Sequence, residues 1–440
     1  MKEKHQKYLF LSIFIFCVLL RVIYIAVTTI TERGMQNDIG LLDDSCYGHL
    51  GYIYYLANGG DLIHNGAGIH YQFYHPPLHY MICAGLLKVL TLFGVPLQTA
   101  GECLQVLTLF YSVMVLVFLD KLVKRLGGGY PARIMALCLA GFFPYAVFLA
   151  GAMNNDGLLI LLMVMTIYYL IIYYEKPSVR SVLPLALCFG GALMTKISAL
   201  LLLPGIVFLL GHQYSKNKKL RMGFIDQYMI FALASMVIGL WYPCKNYVIY
   251  HMNFLFVPNL GPDSPQYLGD FSLLSRFIDF DLGQLKSLGV VFREADGMLD
   301  HNIFLSLLKY SVFAESRYYV VAETLCRILF FLFGVMLLLI FVSAVCFLIK
   351  GRCKKEYRIV TGIIYATIML SYFRFCLTHP HVCTMHVRYI MTGVFLILIF
   401  AALGFSAKKE RVRTWISGGF TLAYSVAALC FIFVYFLFEF

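Results

Sequence analysis

The sequence predicts an all-α, polytopic membrane protein, and three observations carry that expectation. Hydrophobic residues make up 61% of the 440 and charged residues 13%, with a mean hydropathy of +0.79, too little polar matter to cover a soluble fold. Apolar runs recur along the whole chain, each near the roughly 20 residues that a helix needs to cross a bilayer core. Basic clusters punctuate them. Exposed backbone groups find no water in lipid, so such runs must be helices.

Taken in order, Tyr8–Val27 is the first run. Lys2, Lys4 and Lys7 precede it as in a signal peptide, but no small-residue cleavage site follows and Arg21 interrupts it, so a retained span is expected. Residues 31–103 then form a first outer loop. Within it Leu78–Phe93 begins at Pro76-Pro77 and contains Lys88, which marks an interfacial or re-entrant helix rather than a crossing. Leu104–Leu122 is the next true span, followed by Ile134–Ala150 and Leu158–Tyr174. A short pair follows, Leu183–Thr195 and Ile197–His212, and then Met229–Trp241 with its flanks. The last spans are Leu325–Ile349, Ile359–Leu377, Tyr389–Phe405 and Trp415–Phe438, which brings the expectation to about eleven. Residues 242–321 are too many for a simple connection and are expected to fold as a small outer cap. No internal repeat is visible, and residues 1–440 read as a single domain.

Charge sets the orientation. The positive-inside rule puts Lys2, Lys4 and Lys7 in the cytoplasm, and with them the clusters around Lys121–Arg125, Lys176–Arg180, Lys216–Arg221, Lys350–Lys355 and Lys408–Arg413. The net charge of +12 therefore reports topology and a preference for anionic membrane lipids, not nucleic acid. Most of the 13 cysteines fall in apolar runs, with no Cys-x-x-Cys among them, so a disulfide framework is not expected.

Parity gathers the unusual polar residues on the extracytoplasmic side. Residues 36–80 hold Asp38, Asp43, Asp44 and Asp61 with His49, His64, His70 and His75, beside Tyr71, Phe73, Tyr74 and Tyr80. Asn154-Asn155-Asp156, Lys196 and residues 379–388 fall on the same side. Acids and imidazoles gathered at one membrane face suggest interfacial chemistry. The histidines and thiol of His379, His381, Cys383 and His386 are ligand types for zinc, at a spacing that matches no common motif. Gly127-Gly128-Gly129 lacks the Lys-Ser/Thr of a phosphate loop and reads as a turn.

An ordered set of motifs resembles one family. Asn37-Asp38-Ile39-Gly40, Gly48-His49-x-Gly51-Tyr52-Ile53 and His75-Pro76-Pro77-Leu78 look like the first outer loop of glycosyltransferase family 39 and its relatives. These are GT-C enzymes such as protein O-mannosyltransferases and aminoarabinose transferases. Asn155-Asp156, Leu193-Met194-Thr195-Lys196, Trp241-Tyr242-x-x-Lys245-Asn246-Tyr247 and Val387-Arg388-Tyr389-Ile390 follow in the family's order, so the resemblance covers essentially the whole chain.

The resemblance implies a GT-C-like fold and transfer of a sugar from a polyprenyl-phosphate donor to an acceptor at the outer face, with inversion. It makes Asp38 the general base, against an alternative as a helix cap. Asp156 is a second acid or only an N-terminal helix residue favoured by the macrodipole. Arg388, Lys196, His75 and Lys245, with Arg21 behind them, are candidate contacts for the donor phosphate, against snorkelling to lipid headgroups. Lys245 stands where the family would have arginine. His49, Tyr74, Asn155 and Asn246 are candidate acceptor or sugar contacts. No cofactor is expected. Asp43-Asp44 offers a divalent-cation site as the alternative to a solvated acidic turn. The expected membrane is the plasma membrane, and the acceptor is a lipid, a protein or a cell-wall polymer. The rival reading is a secondary transporter or flippase, which would tend to show duplicated halves and midplane polar residues.

Overall fold

The computed structural model describes residues 3–30, 39–217, 221–258, 260–280, 289–291, 299–314, 323–406 and 411–438. Among these the chain is helical, with one isolated β-bridge between Tyr267 and His381. Among the described residues nine helices are long and apolar enough to cross a membrane: Glu3–Val27, Leu97–Arg125, Asp156–Glu175, Ile197–Lys216, Met222–Tyr250, Cys326–Lys350, Lys355–Thr378, Val382–Phe405 and Trp415–Phe433. The bent pair Tyr130–Gly141 and Pro144–Gly151 makes a tenth if it counts as one span. Against the eleven expected runs, Ile134–Ala150 is broken by a 72° bend, and Leu183–Thr195 corresponds to a 15-residue helix, Val179–Leu193, too short to qualify. Leu78–Leu92 also has 15 residues, about 22 Å at 1.5 Å per residue, short of a ~30 Å core.

The Cα positions group into two units. The first comprises Met1–Val27, Leu119–Phe148 and Pro258–Phe440. Its bent pair breaks where Pro144 has no N–H to offer, leaving the last carbonyls of Tyr130–Gly141 without intrahelical donors. Arg21 meets that need. Its Nη1 donates to the Gly141 carbonyl at 2.9 Å and the Cys17 carbonyl at 3.0 Å, and the side chain is buried. Arg21 is therefore built into the helix packing. A Cβ on Gly141 would lie 2.4 Å from Cys17 Sγ, so glycine permits this close approach.

The expected outer segment 242–321 is divided: residues 242–250 finish helix Arg221–Tyr250 in the second unit, and its described residues from Pro258 onward belong to the first unit. Leu268 N–H donates to the Pro380 carbonyl, Val382 N–H to the Gln266 carbonyl, and Arg276 Nη2 to the Cys376 carbonyl. The last contact places a cation at the C-terminal end of helix Lys355–Thr378, where the macrodipole favours one. Asp300 and Lys309 form an ion pair with both side chains fully buried. Lys309 Nζ lies 2.9 and 2.8 Å from the two carboxylate oxygens, and Val291 N–H also donates to Asp300. Burial pushes the Asp300 carboxyl up from its ordinary range.

The second unit comprises Thr28–Phe118 and Leu149–Val257. Helices Val179–Leu193 and Arg221–Tyr250 cross on small residues: a Cβ on Gly239 would meet the Leu193 side chain at 2.5 Å and one on Gly190 the Ser235 backbone at 3.2 Å. Small residues at the crossing let the backbones approach where lipid supplies no hydrophobic drive. The short helix Gly48–Ala57 packs beside Leu78–Leu92 through Leu50, Tyr52, Ile53, Tyr80, Cys83 and Leu87, all buried.

Candidate active site

Three of the sequence motifs meet in the second unit. Helix Asp156–Glu175 starts at the Asn-Asn-Asp turn, where Asn154 Oδ1 accepts from Asp156 N–H at 3.0 Å. Asn155 Nδ2 donates to the Thr195 carbonyl at 2.9 Å, tying that turn to the end of helix Val179–Leu193. Leu78 N–H donates to the Met194 carbonyl at 3.0 Å, and His79 Nε2 lies 3.2 Å from the Met153 carbonyl. The His-Pro-Pro-Leu, Asn-Asp and Leu-Met-Thr-Lys motifs thus share one backbone junction.

At that junction Lys196 Nζ donates to Asp156 Oδ1 at 2.7 Å, with side-chain exposures of 16% and 4%. The carboxylate also sits on the first turn of its helix, where the macrodipole favours a negative charge. Asn155 is buried, and its Oδ1 has no hydrogen-bond partner among the described residues. A buried acceptor beside an ion pair is suited to a ligand hydroxyl. His79 is buried, and desolvation holds its imidazole down at about 4. A neutral ring with its proton on Nε2 is the form that donates to Met153.

A second group lies in the same unit. His49 Nδ1 is 2.7 Å from the Tyr80 hydroxyl, and the His49 and His75 rings are nearly parallel with centroids 6.3 Å apart. The Tyr74 ring lies 4.2 Å from that of His75. The Asn-Asp-Ile-Gly motif reaches this group through its glycine. Gly40 has φ +71°, and a Cβ there would fall 1.8 Å from the Tyr47 carbonyl oxygen. Ile39 then accepts from Leu50 N–H at 2.7 Å, one residue beyond His49. Asp38 itself lies outside the described residues, as does Asn37.

Lys245 and Asn246 lie on helix Arg221–Tyr250. Lys245 Nζ donates to Asn65 Oδ1 at 3.2 Å and stands 4.1 Å over the Tyr242 ring and 5.0 Å from the Tyr250 ring. Asn246 Nδ2 donates to the Tyr74 carbonyl at 3.2 Å.

Arg388 lies in the first unit. His386 starts the turn Val387–Ile390, its Nδ1 accepting from Arg388 N–H at 3.1 Å. The His386 ring is buried against Tyr145 and Tyr310, with centroids 5.0 and 4.2 Å away. The Arg388 guanidinium donates to the Tyr389 hydroxyl at 3.1 Å and lies 5.1 Å from that ring. It remains half-buried.

Among the described residues no three His, Cys, Asp or Glu side chains converge as a metal site. His381 Nε2 lies 3.0 Å from the Gly261 carbonyl. The Asp43 carboxyl is held below its ordinary range by Ser45, first through the serine side chain and then through its N–H, which donates at 3.0 Å.

Sequence reasoning did not name His79 or Asn65, and it gave no individual role to Asn154, Thr195, Tyr52 or Tyr242, which stood only within motifs. Asn154 carried a readable signal, since Asn just before an acidic helix start is a common N-terminal device. The others are defined by partners remote in sequence.

Comparison with known proteins addresses the fold. The family described as dolichyl-phosphate-mannose-protein mannosyltransferase matches residues 74–241. The crystal structure of ArnT from Cupriavidus metallidurans bound to undecaprenyl phosphate superposes with a TM-score of 0.54 at 14% identity, covering 94% of this chain and 63% of that one. The apo oligosaccharyltransferase of Archaeoglobus fulgidus gives 0.50 at 11% identity, covering 97% of this chain and 56% of that one. The chain thus spans less than two thirds of the length of either solved protein. No curated protein matches the sequence. The chain carries the GT-C fold, and the stretch similar to the mannosyltransferase family model holds the His-Pro-Pro-Leu, Asn-Asp and Leu-Met-Thr-Lys motifs.

Proposed function

We propose that this chain is a membrane glycosyltransferase that moves a sugar from a polyprenyl-phosphate donor to an acceptor at the extracytoplasmic face, with inversion. The observation that carries the reading is the Asp156–Lys196 pair, held at the junction of three motifs in a GT-C fold beside the spare acceptor of Asn155. The similarity to ArnT bound to undecaprenyl phosphate supports a lipid-phosphate donor.

In the proposed step the acceptor oxygen attacks the anomeric carbon as the bond from that carbon to the phosphate oxygen breaks. Asp38 takes the acceptor's proton, and the polyprenyl phosphate leaves with the bonding electrons. Lys196 offsets the charge that develops on the leaving phosphate. Asp156 keeps Lys196 charged and oriented, and Asn155 Oδ1 accepts from a sugar hydroxyl. His49, His75 and Tyr74 line the acceptor side. Arg388, in the first unit, is a separate candidate for lipid phosphate because its planar fork suits two phosphate oxygens, and it is tested on its own below.

The test is transfer from radiolabelled polyprenyl-phosphate sugars in liposomes, comparing wild type with Asp38→Asn. Transfer should fall by about 10²–10⁴-fold with undecaprenyl phosphate binding retained. Equal turnover in both proteins would remove Asp38 from the mechanism. Movement of substrate across the bilayer without any transfer would favour a transporter.

A further inference from the structure

The face of helix Arg221–Tyr250 formed by positions 242, 245, 246 and 250 has a separate role. These positions recur at i, i+3, i+4 and i+8, so their side chains share one face of the last two turns. Each touches the loop of residues 63–74, which leads into His75. The Tyr242 hydroxyl donates to the Phe73 carbonyl and accepts from Asn65 Nδ2 at 2.6 Å and from the Tyr52 hydroxyl at 2.9 Å. Its one proton and two lone pairs are then all used. Asn65 Oδ1 accepts both from Lys245 Nζ at 3.2 Å and from Ala67 N–H at 3.2 Å. Asn246 Nδ2 holds the Tyr74 carbonyl, and the Tyr250 hydroxyl accepts from Gly66 N–H at 3.0 Å.

The opposite face is different in kind. Cys244, Tyr247 and Val248 are exposed, continuing a stripe that runs through Met229, Leu233 and Val237. The span Met222–Tyr250 has 29 residues, about 44 Å of helix against a ~30 Å hydrocarbon core. Its final turns therefore have length to spare beyond the core, where a polar face can hold a loop.

We propose that Lys245 is a positioning residue, and that the end of this helix is a clasp that sets the posture of residues 63–75. Its ammonium is compensated inside the protein by two tyrosine faces and the Asn65 amide oxygen rather than by a donor phosphate. Lys245 is 9% exposed, as befits a strut. The clasp ends one residue before His75, so it fixes the imidazole that faces His49. Only the consequence for sugar transfer rests on the proposed function; the clasp is measured without turnover.

The experiment is hydrogen exchange over residues 63–75 in nanodiscs, paired with binding of undecaprenyl phosphate. The proteins are wild type, Lys245→Met, Asn65→Leu, the double variant and Lys245→Arg. Loss of a charge-assisted bond should speed exchange in the loop roughly tenfold in each single variant. The double variant should go no further than Asn65→Leu alone, because that change already breaks the Lys245 linkage together with the bonds to Tyr242 and Ala67. Lys245→Arg, which keeps the charge and a donor, should stay near wild type. The proposal is overturned if Lys245→Met weakens undecaprenyl phosphate binding while loop exchange is unchanged and Asn65→Leu is silent, since Lys245 would then contact phosphate directly. Equal acceleration in Lys245→Arg and Lys245→Met would also overturn it. If wild type binds no undecaprenyl phosphate, the donor reading fails while the exchange data still decide the clasp.

Discussion

Replacing Lys196 by methionine probes the candidate site most directly, because the lysine has two separable roles there. Its Nζ stands 2.7 Å from Asp156 Oδ1, with side-chain exposures of 16% and 4%. At an effective dielectric near 20, unit charges at that distance attract by roughly 6 kcal/mol before desolvation, which offsets most of it. Removing one partner of a fully buried pair costs about 3–5 kcal/mol, because a bare charge is left behind. Lys196 retains some solvent contact, so about 2–3 kcal/mol is expected for Lys196→Met. Adding Asp156→Asn removes the stranded carboxylate, and the double variant should recover much of that loss. A double-mutant cycle in mixed micelles, followed by tryptophan fluorescence, would then show a coupling above about 1 kcal/mol. Undecaprenyl phosphate binding should behave otherwise: weak in Lys196→Met and still weak in the stability-rescued double variant. Additive stability losses, or wild-type lipid-phosphate affinity in Lys196→Met, would refute the reasoning.

Further predictions concern other buried groups. Lys309→Met should destabilise the first unit by about 3–5 kcal/mol, since both it and Asp300 are fully buried, and Lys309→Met with Asp300→Leu should recover most of this. The check is the thermal midpoint together with proteolysis near residues 260–280. His79 contributes a pH dependence. With its imidazole at about 4 in the fold against an ordinary 6.5, only the unfolded chain takes up the proton between those values. Stability should fall as pH drops from 6.5 to 4, by up to roughly 3 kcal/mol, and level off below. His79→Gln should flatten that slope in a pH series of unfolding curves. Arg388→Lys should lower undecaprenyl phosphate affinity by about tenfold, because an ammonium cannot offer two parallel donors to one phosphate. Titration with the lipid phosphate checks it.

Composition and apolar length alone determined that this chain is a bundle of membrane helices, because burying 61% hydrophobic residues in lipid leaves no other backbone solution. The order of short motifs pointed to the GT-C fold, and Leu78–Leu92 was legible as a helix too short to cross because its prolines and lysine lie in plain view. Local sequence did not show that Ile134–Ala150 is broken, although Pro144 was visible, since many membrane helices tolerate proline when neighbours satisfy the freed carbonyls. Here the neighbour is Arg21, 120 residues from Gly141, so a cation that reads as a lipid or phosphate contact becomes a strut. Lys245 shifts in meaning for the same reason: its partners Asn65 and Tyr242 are set by how the first loop lies on the helix. Asp156 and Lys196 were candidates from their motifs, but their union depends on Asn155 reaching Thr195 and Leu78 reaching Met194. Residue type and spacing decide which chemistry is possible and which segments enter the membrane. Which charges meet is decided by contacts across 40 to 180 residues, where the energy lies in desolvation and hydrogen-bond partners that no local pattern encodes.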